Sequence, residues 1–136
     1  ARAAATDGNT VRGDTGEKGM GKMHNQLMGV SCMDNPEIAA TASPIKFVNE
    51  DFPPAYFLQG VQDRIIPYTQ SVSMVRMINE KCGVGHAELK LFPNADHGAA
   101  EMKTDEEVDL ILDFIDRHIW EGEHLRTPLP KEIALL

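Results

Sequence analysis

Residues 55–67 read AYFLQGVQDRIIP and join an apolar run to a polar turn. Pro53-Pro54 forces an extended entry, and the aromatic-rich run that follows stops at Gly60. Such a run is typical of a strand buried on both faces of a sheet. The sequence therefore predicts a strand over residues 55–60, followed by a loop that contains Asp63.

The residues after this loop alternate between helical and extended patterns. Pro67 suits the start of a helix, which we expect from Tyr68 to Lys81, with Gly83 and Gly85 as the stop. Its apolar face comprises Met74, Val75, Ile78 and Cys82. Residues 87–92 then predict a second strand, bounded by Pro93-Asn94. The loop from Asn94 to Lys103 contains His97.

A last helix is predicted after Thr104, which forms a capping box with Glu107. Its apolar residues recur at helical spacing and predict packing on a core: Val108, Ile111, Leu112, Ile115 and Ile119. The order strand, helix, strand, helix implies an open α/β parallel sheet. Two strands alone cannot complete such a sheet.

The predicted domain covers residues 43–120, between an irregular excursion or cap segment (1–42) and a C-terminal tail (121–136). Residues 1–41 contain scattered glycines and read as loop, with a short helix around Lys22–Met28. Ser43-Pro44 leads into a short extended piece over Ile45–Val48.

Composition excludes several classes of protein. The 136 residues are 42% hydrophobic and 25% charged, which is typical of a globular chain. A formal charge of −8 disfavours nucleic acid and anionic membranes as partners, and no apolar run is long enough to span a bilayer. The compartment, cytoplasmic or secreted, stays open.

Asp63 and His97 each follow the carboxyl end of a predicted strand. In an open parallel sheet these ends meet at one edge, and functional groups collect there. A carboxylate in this position can orient an imidazole, whose second nitrogen then acts as a general base. We therefore predict Asp63 and His97 as a catalytic acid and base. Asp96 is a weaker alternative for the acid.

Metal and disulfide chemistry are not predicted. The histidines outside this pair lack ligand spacing: His24, His86, His118 and His124. Cys32 and Cys82 read as small hydrophobic residues or free thiols.

Residues 43–67 and the loop Pro93–Gly98 resemble the acid and histidine segments of α/β-hydrolases of the esterase/lipase kind. The similarity spans roughly Met28 to Ile119, and acid, helix, strand, base and last helix come in the family's order. The family usually has His-Gly-x-x-Asp in the first segment, and Gln59 replaces that histidine here. The resemblance implies the C-terminal part of an α/β-hydrolase fold, incomplete without its N-terminal half.

The resemblance further implies a serine hydrolase that cleaves small carboxylic esters, including acylated carbohydrates, without a cofactor. A Gly-x-Ser-x-Gly elbow is absent. Gly29–Met33 comes closest, but Ser31 lacks the second glycine and a preceding strand, and it lies too near Asp63. We therefore expect the serine nucleophile outside this chain, and the isolated chain to be inactive.

Two alternatives remain open. One is a serine peptidase of the prolyl-oligopeptidase type, whose catalytic domain ends in a similar pair. The other is a non-catalytic pairing module held as a domain-swapped oligomer. In each case the expected partner is the missing N-terminal half or a second copy of the chain, because exposed strand edges promote association.

Overall fold

The computed structural model describes residues 19–119. Within them, the α-helices are α1 (Gly19–Met28), α2 (Pro36–Thr41), α3 (Tyr68–Cys82) and α4 (Asp105–Ile119). The strands are β1 (Ala55–Gly60) and β2 (Ala87–Phe92), and 3₁₀ helices cover Pro44–Phe47 and Ala100–Lys103. Both predicted strands are confirmed, and α3 extends one residue beyond its predicted end. The predicted tail lies outside the described residues.

The two strands pair in parallel, with Ala55 opposite Ala87 and Gly60 opposite Phe92. The N–H of Ala55 donates to the His86 carbonyl at 3.2 Å, and the N–H of Val61 donates to the Phe92 carbonyl at 2.9 Å. The main-chain N–H and C=O groups of the odd-numbered residues of β1 thus point towards β2. Because bonding directions alternate along a strand, Leu58 directs its main-chain groups to the opposite edge. That edge is buried, since Leu58 is only 1% exposed.

Helix α3 packs against one face of the sheet and forms the core with it. The buried cluster comprises Val48, Phe57, Met74, Ile78 and Ala87. Val75 and Cys82 pack against this cluster at its margin, so the predicted apolar face of α3 is confirmed. The helix ends at Gly83, whose φ of +105° suits a glycine.

Asn79 joins the last turn of α3 to the start of β2. Its side-chain amide donates to the Ala87 carbonyl at 2.9 Å, and its Oδ1 accepts the Ala87 N–H at 2.7 Å. The main-chain N–H and C=O of Ala87 point away from β1 to the outer edge of β2, where no further strand of the described residues lies. Asn79 therefore substitutes for a strand at this position.

The predictions of a loop up to residue 41, apart from the helix around Lys22–Met28, and of an extended piece over Ile45–Val48 are wrong in two places. Residues 36–41 form α2, and residues 44–47 form a 3₁₀ helix instead of an extended piece. Pro36 and Pro44 occupy the first turn of these elements. A proline there has the backbone angle of a helix and loses no hydrogen bond. The predicted helix at 22–28 is present and begins earlier, at Gly19.

Helix α4 covers the other face of the sheet through polar as well as apolar contacts. Phe114 is buried against Tyr56, whereas Val108 and Leu112 are each 41% exposed, so the predicted apolar face is only partly packed. On β2, the contacts with α4 are ion pairs, of Glu88 with Arg117 and of Lys90 with Glu107.

The capping box at the start of α4 is half formed. The Thr104 hydroxyl accepts the Glu107 N–H at 3.4 Å. The Glu107 side chain instead turns to Lys90. Among residues 19–119, no helix is long and apolar enough to cross a membrane.

We expect Asn79→Ala to lower the free energy of unfolding by about 2 kcal/mol, because it removes two hydrogen bonds and leaves buried main-chain groups unpaired. Urea denaturation measures this loss. Glu80→Ala is the matched control: Glu80 lies in an exposed pair with Arg76, which is worth about 0.5 kcal/mol. Equal losses in both variants would contradict the proposed role of Asn79.

Candidate active site

The site forms where the loops that follow β1 and β2 meet. The N–H of Gln62 donates to the Ala95 carbonyl at 3.1 Å, beside the Val61–Phe92 bond that closes the strand pair. These main-chain contacts hold the loop of Asp63 against the loop of His97. The predicted meeting of the two loops at one sheet edge is therefore present in the structure.

Gly60 permits this close approach. A Cβ atom at position 60 would lie 2.3 Å from the Ala95 carbonyl oxygen, far inside contact distance. The neighbour is main chain and cannot rotate away. A glycine is thus required at the end of β1 for the histidine loop to dock.

Asp63 is held in place by hydrogen bonds to both carboxylate oxygens. Oδ1 accepts the N–H groups of Ile65 (2.9 Å) and Ile66 (2.8 Å). Oδ2 accepts the side-chain amide of Gln59 at 2.9 Å. The side chain is 0% exposed, so these donors replace the water that a carboxylate otherwise binds.

His97 completes the contact with its Nδ1 atom 2.9 Å from Oδ2 of Asp63. Facing a carboxylate, a neutral imidazole carries its proton on Nδ1, and Nε2 is then a proton acceptor. The His97 side chain is 39% exposed, in contrast to the buried Asp63. The pair therefore has a buried negative end and an accessible basic end.

The balance of effects keeps Asp63 ionised. Burial raises the pKa of its carboxyl group, but hydrogen bonds from Ile66, His97, Ile65 and Gln59 lower it more, and the pKa falls below its ordinary value. A negative Asp63 can stabilise a protonated His97. This arrangement can abstract a proton from a hydroxyl group and return it later.

Asp96 does not occupy the position of the acid, although it precedes His97 in the chain. Its carboxylate pairs with the Arg64 guanidinium, with Nε 2.7 Å from Oδ2. Its Oδ1 accepts the N–H groups of His97 (2.8 Å) and Arg64 (3.1 Å). The Arg64 side chain, followed by these two N–H groups, lowers the pKa of Asp96 to about 2. Asp96 and Arg64 thus form a second, exposed link between the two loops.

A surface depression of about 380 Å³ adjoins the pair and is lined by Arg64, Ile65, Asp96 and His97. The exposed part of His97 opens into it. Its lining combines a cation, a carboxylate, an imidazole and an apolar side chain. A small substrate in the depression would contact His97 directly.

The other candidate residues lie outside this arrangement. Ser31 lies in the loop between α1 and α2, and among the described residues a helix precedes it, not a strand. The imidazoles of His86 and His118 contact the Phe52 carbonyl and the Phe114 ring. Within residues 19–119 no group of three metal-ligating side chains comes together. His124 lies outside the described residues.

Two polar residues of the site were not assigned a role from the sequence. In the sequence, Gln59 stands out only as the replacement for a histidine of the family, and Ser71 falls within the predicted helix Tyr68–Lys81. Both are fully buried, and the Ser71 hydroxyl donates to Gln59 Oε1 at 3.0 Å. A glutamine at the end of an apolar strand was the available signal, since a buried amide needs polar partners.

Comparisons with known proteins give a consistent assignment for this fold. The BD-FAE family model matches residues 3–78, which include Asp63 but end before His97. This match begins earlier than the resemblance expected from Met28 onward. Esterase LipQ of Mycobacterium tuberculosis is 32% identical over 88 residues, covering 61% of this chain. The chain spans only 20% of that esterase.

A solved structure agrees on the fold. The chain titled "Bifunctional GH43-CE" from Bacteroides eggerthii superposes with a TM-score of 0.63 at 22% identity, covering 76% of this chain and 14% of its own length. Together with the parallel sheet, these matches define part of an esterase-like α/β-hydrolase fold. The chain belongs to the BD-FAE family.

We expect Gly60→Ala to lower the free energy of unfolding by about 1–3 kcal/mol, as overpacking does, and to displace the histidine loop. Urea denaturation and the amide NMR signals of residues 95–98 report the two effects. Gly85→Ala is the control for the loop signals: at φ +88° an alanine also destabilises the chain, but its Cβ meets no atom within 4 Å, so the signals of residues 95–98 should stay as in the wild type. Unchanged loop signals in Gly60→Ala would disprove the requirement for glycine.

The link between Arg64 and Asp96 predicts a pH dependence. Because the folded-state pKa of Asp96, about 2, lies below its ordinary value of 3.8, the link stabilises the folded chain above that ordinary value. The stabilisation is lost as the pH falls through the lower value. Carboxyl NMR titration should show Asp96 returning towards 3.8 in Arg64→Met and not in Arg76→Met. A wild-type midpoint near 3.8 would refute the link.

Proposed function

We propose that this chain supplies the acid and the base of a serine hydrolase that cleaves carboxylic esters. The observation that carries the proposal is the Nδ1–Oδ2 contact of 2.9 Å between His97 and a buried, ionised Asp63. The exposed side of the imidazole faces a depression that a substrate can enter. Membership of the BD-FAE family and the similarity to Esterase LipQ support ester hydrolysis over peptide hydrolysis.

In the proposed reaction, Nε2 of His97 accepts the proton of a serine hydroxyl as the serine attacks the ester carbonyl. Asp63 fixes the tautomer of His97 and stabilises the imidazolium that forms. His97 then protonates the departing alcohol. A water molecule, activated in the same way, releases the acid and regenerates the serine. Each role matches the burial of its residue, since only His97 has to reach the substrate.

The serine is proposed to lie outside this chain, because its sequence has no Gly-x-Ser-x-Gly elbow. The edge of β1 that points away from β2 supports a partner at that place, because no strand of residues 19–119 pairs with it. Leu58 points its main-chain N–H and C=O there, and a buried main-chain group needs a hydrogen-bond partner. We propose that a further strand of the intact hydrolase pairs with this edge and positions the elbow beside His97. The proposed substrates are small esters, with acylated carbohydrates as the class to test after simple acetates.

The test is made in the full-length protein that contains this chain. Asp63→Asn should lower kcat for p-nitrophenyl acetate about 10²- to 10⁴-fold, because the amide donates towards Nδ1 and favours the wrong tautomer. His97→Gln should cause a loss of similar size. Asp109→Asn, on exposed α4, is the control and should retain full activity.

A serine-directed phosphonate identifies the nucleophile by mass spectrometry. It should label a serine of the full-length protein and leave the isolated 136-residue chain unlabelled. Full activity in both Asp63→Asn and His97→Gln would refute the proposed pair.

A further inference from the structure

Gln59 is the buried residue that links the strand β1 to the proposed acid. It is 0% exposed, and its side chain leaves the sheet on the face covered by α3. Its amide nitrogen lies 2.9 Å from Asp63 Oδ2, 3.2 Å from the Ile66 carbonyl oxygen and 3.3 Å from the Gly60 carbonyl oxygen. Its amide oxygen accepts the Ser71 hydroxyl at 3.0 Å.

These partners fix the direction of the amide. The three atoms around the nitrogen are all acceptors, whereas the hydroxyl beside the oxygen is a donor. A reversed amide would place its oxygen against a carboxylate and two carbonyl groups. Only one of the two orientations therefore satisfies the network, and Ser71 holds it from the side of α3.

The amide and the imidazole share one carboxylate oxygen. Oδ1 of Asp63 is bound by main-chain N–H groups of its own loop. Oδ2 is bound by both Gln59 and His97. Gln59 occupies one lone pair of Oδ2 and His97 the other. The orientation of the lone pair that faces His97 thus depends on Gln59.

We propose that Gln59, oriented by Ser71, is a positioning residue that aims Asp63 Oδ2 at Nδ1 of His97. The inference rests on the proposed function for its purpose, but its evidence is the hydrogen-bond network alone. A glutamine is suited to this place because one end of its amide donates two hydrogen bonds and the other end accepts. Neutral imidazole has one donor and one acceptor, so it cannot satisfy all of these partners.

The test reads the state of His97 directly. In the 136-residue chain, ¹⁵N NMR of the imidazole gives the ratio of the Nδ1–H to the Nε2–H tautomer, and a low-field proton signal reports the bond to Asp63. In Gln59→Met, which keeps the length of the side chain, we expect the low-field signal to be lost. The tautomer ratio should fall at least about twofold, since groups within one hydrogen-bond network are coupled by that much or more. Ser71→Ala should change both in the same direction, by less.

Matched controls separate positioning from a general loss of stability. Gln70→Met removes another buried glutamine, and Ser43→Ala removes another buried hydroxyl. Both should leave the tautomer ratio and the low-field signal as in the wild type. If Gln59→Met does not fold, Ser71→Ala is compared with Ser43→Ala instead. The positioning role then requires that only Ser71→Ala lowers the tautomer ratio.

A tautomer ratio that stays or rises in the Gln59 and Ser71 variants would overturn the inference, as would equal changes in the controls. This readout needs no turnover. An intact NMR effect together with an active Asp63→Asn enzyme would refute the proposed function and leave the positioning role standing.

Discussion

The contact between Gly60 and the Ala95 carbonyl is the constraint on which the site depends. Parallel pairing brings the ends of β1 and β2 to one edge, but pairing alone leaves two separate loops. The loops join because a residue without a Cβ lets the main chain of one pack directly on the other. The 2.9 Å contact of Asp63 with His97 is possible only after this approach.

From that edge a line of hydrogen bonds runs inward, from exposed His97 through Asp63 and Gln59 to Ser71 on α3. Of these four side chains only that of His97 is exposed, and each hydrogen bond gives a buried group the partner that it needs. A charge can be kept out of water at Asp63 because four donors surround it. The opposite face of the sheet is packed differently. There Lys90 forms an ion pair with Glu107, and part of the apolar surface of α4 remains exposed.

The family match and the structure cover different parts of the site. The BD-FAE model ends at residue 78, so it includes the acid and the strand that carries it but not the histidine. The structure adds the histidine by geometry, through the register of β2 against β1. The chain spans a fifth of the esterase that it resembles, and the proposal assigns the remaining elements of the reaction to the rest of such a protein.

The sequence by itself determined the two strands, the helix between them and the order of Asp63 and His97, because period, proline and glycine are local signals. It did not determine that residues 36–41 and 44–47 are helical, since a proline suits both a first turn and an extended entry. Only the tertiary structure decided that Asp96 turns to Arg64, that Glu107 leaves its cap for Lys90, and that Gln59 holds Asp63. In each case the partner lies on another element or at another position of the loops. A side chain can form such a contact only after packing has brought the partner within hydrogen-bond distance.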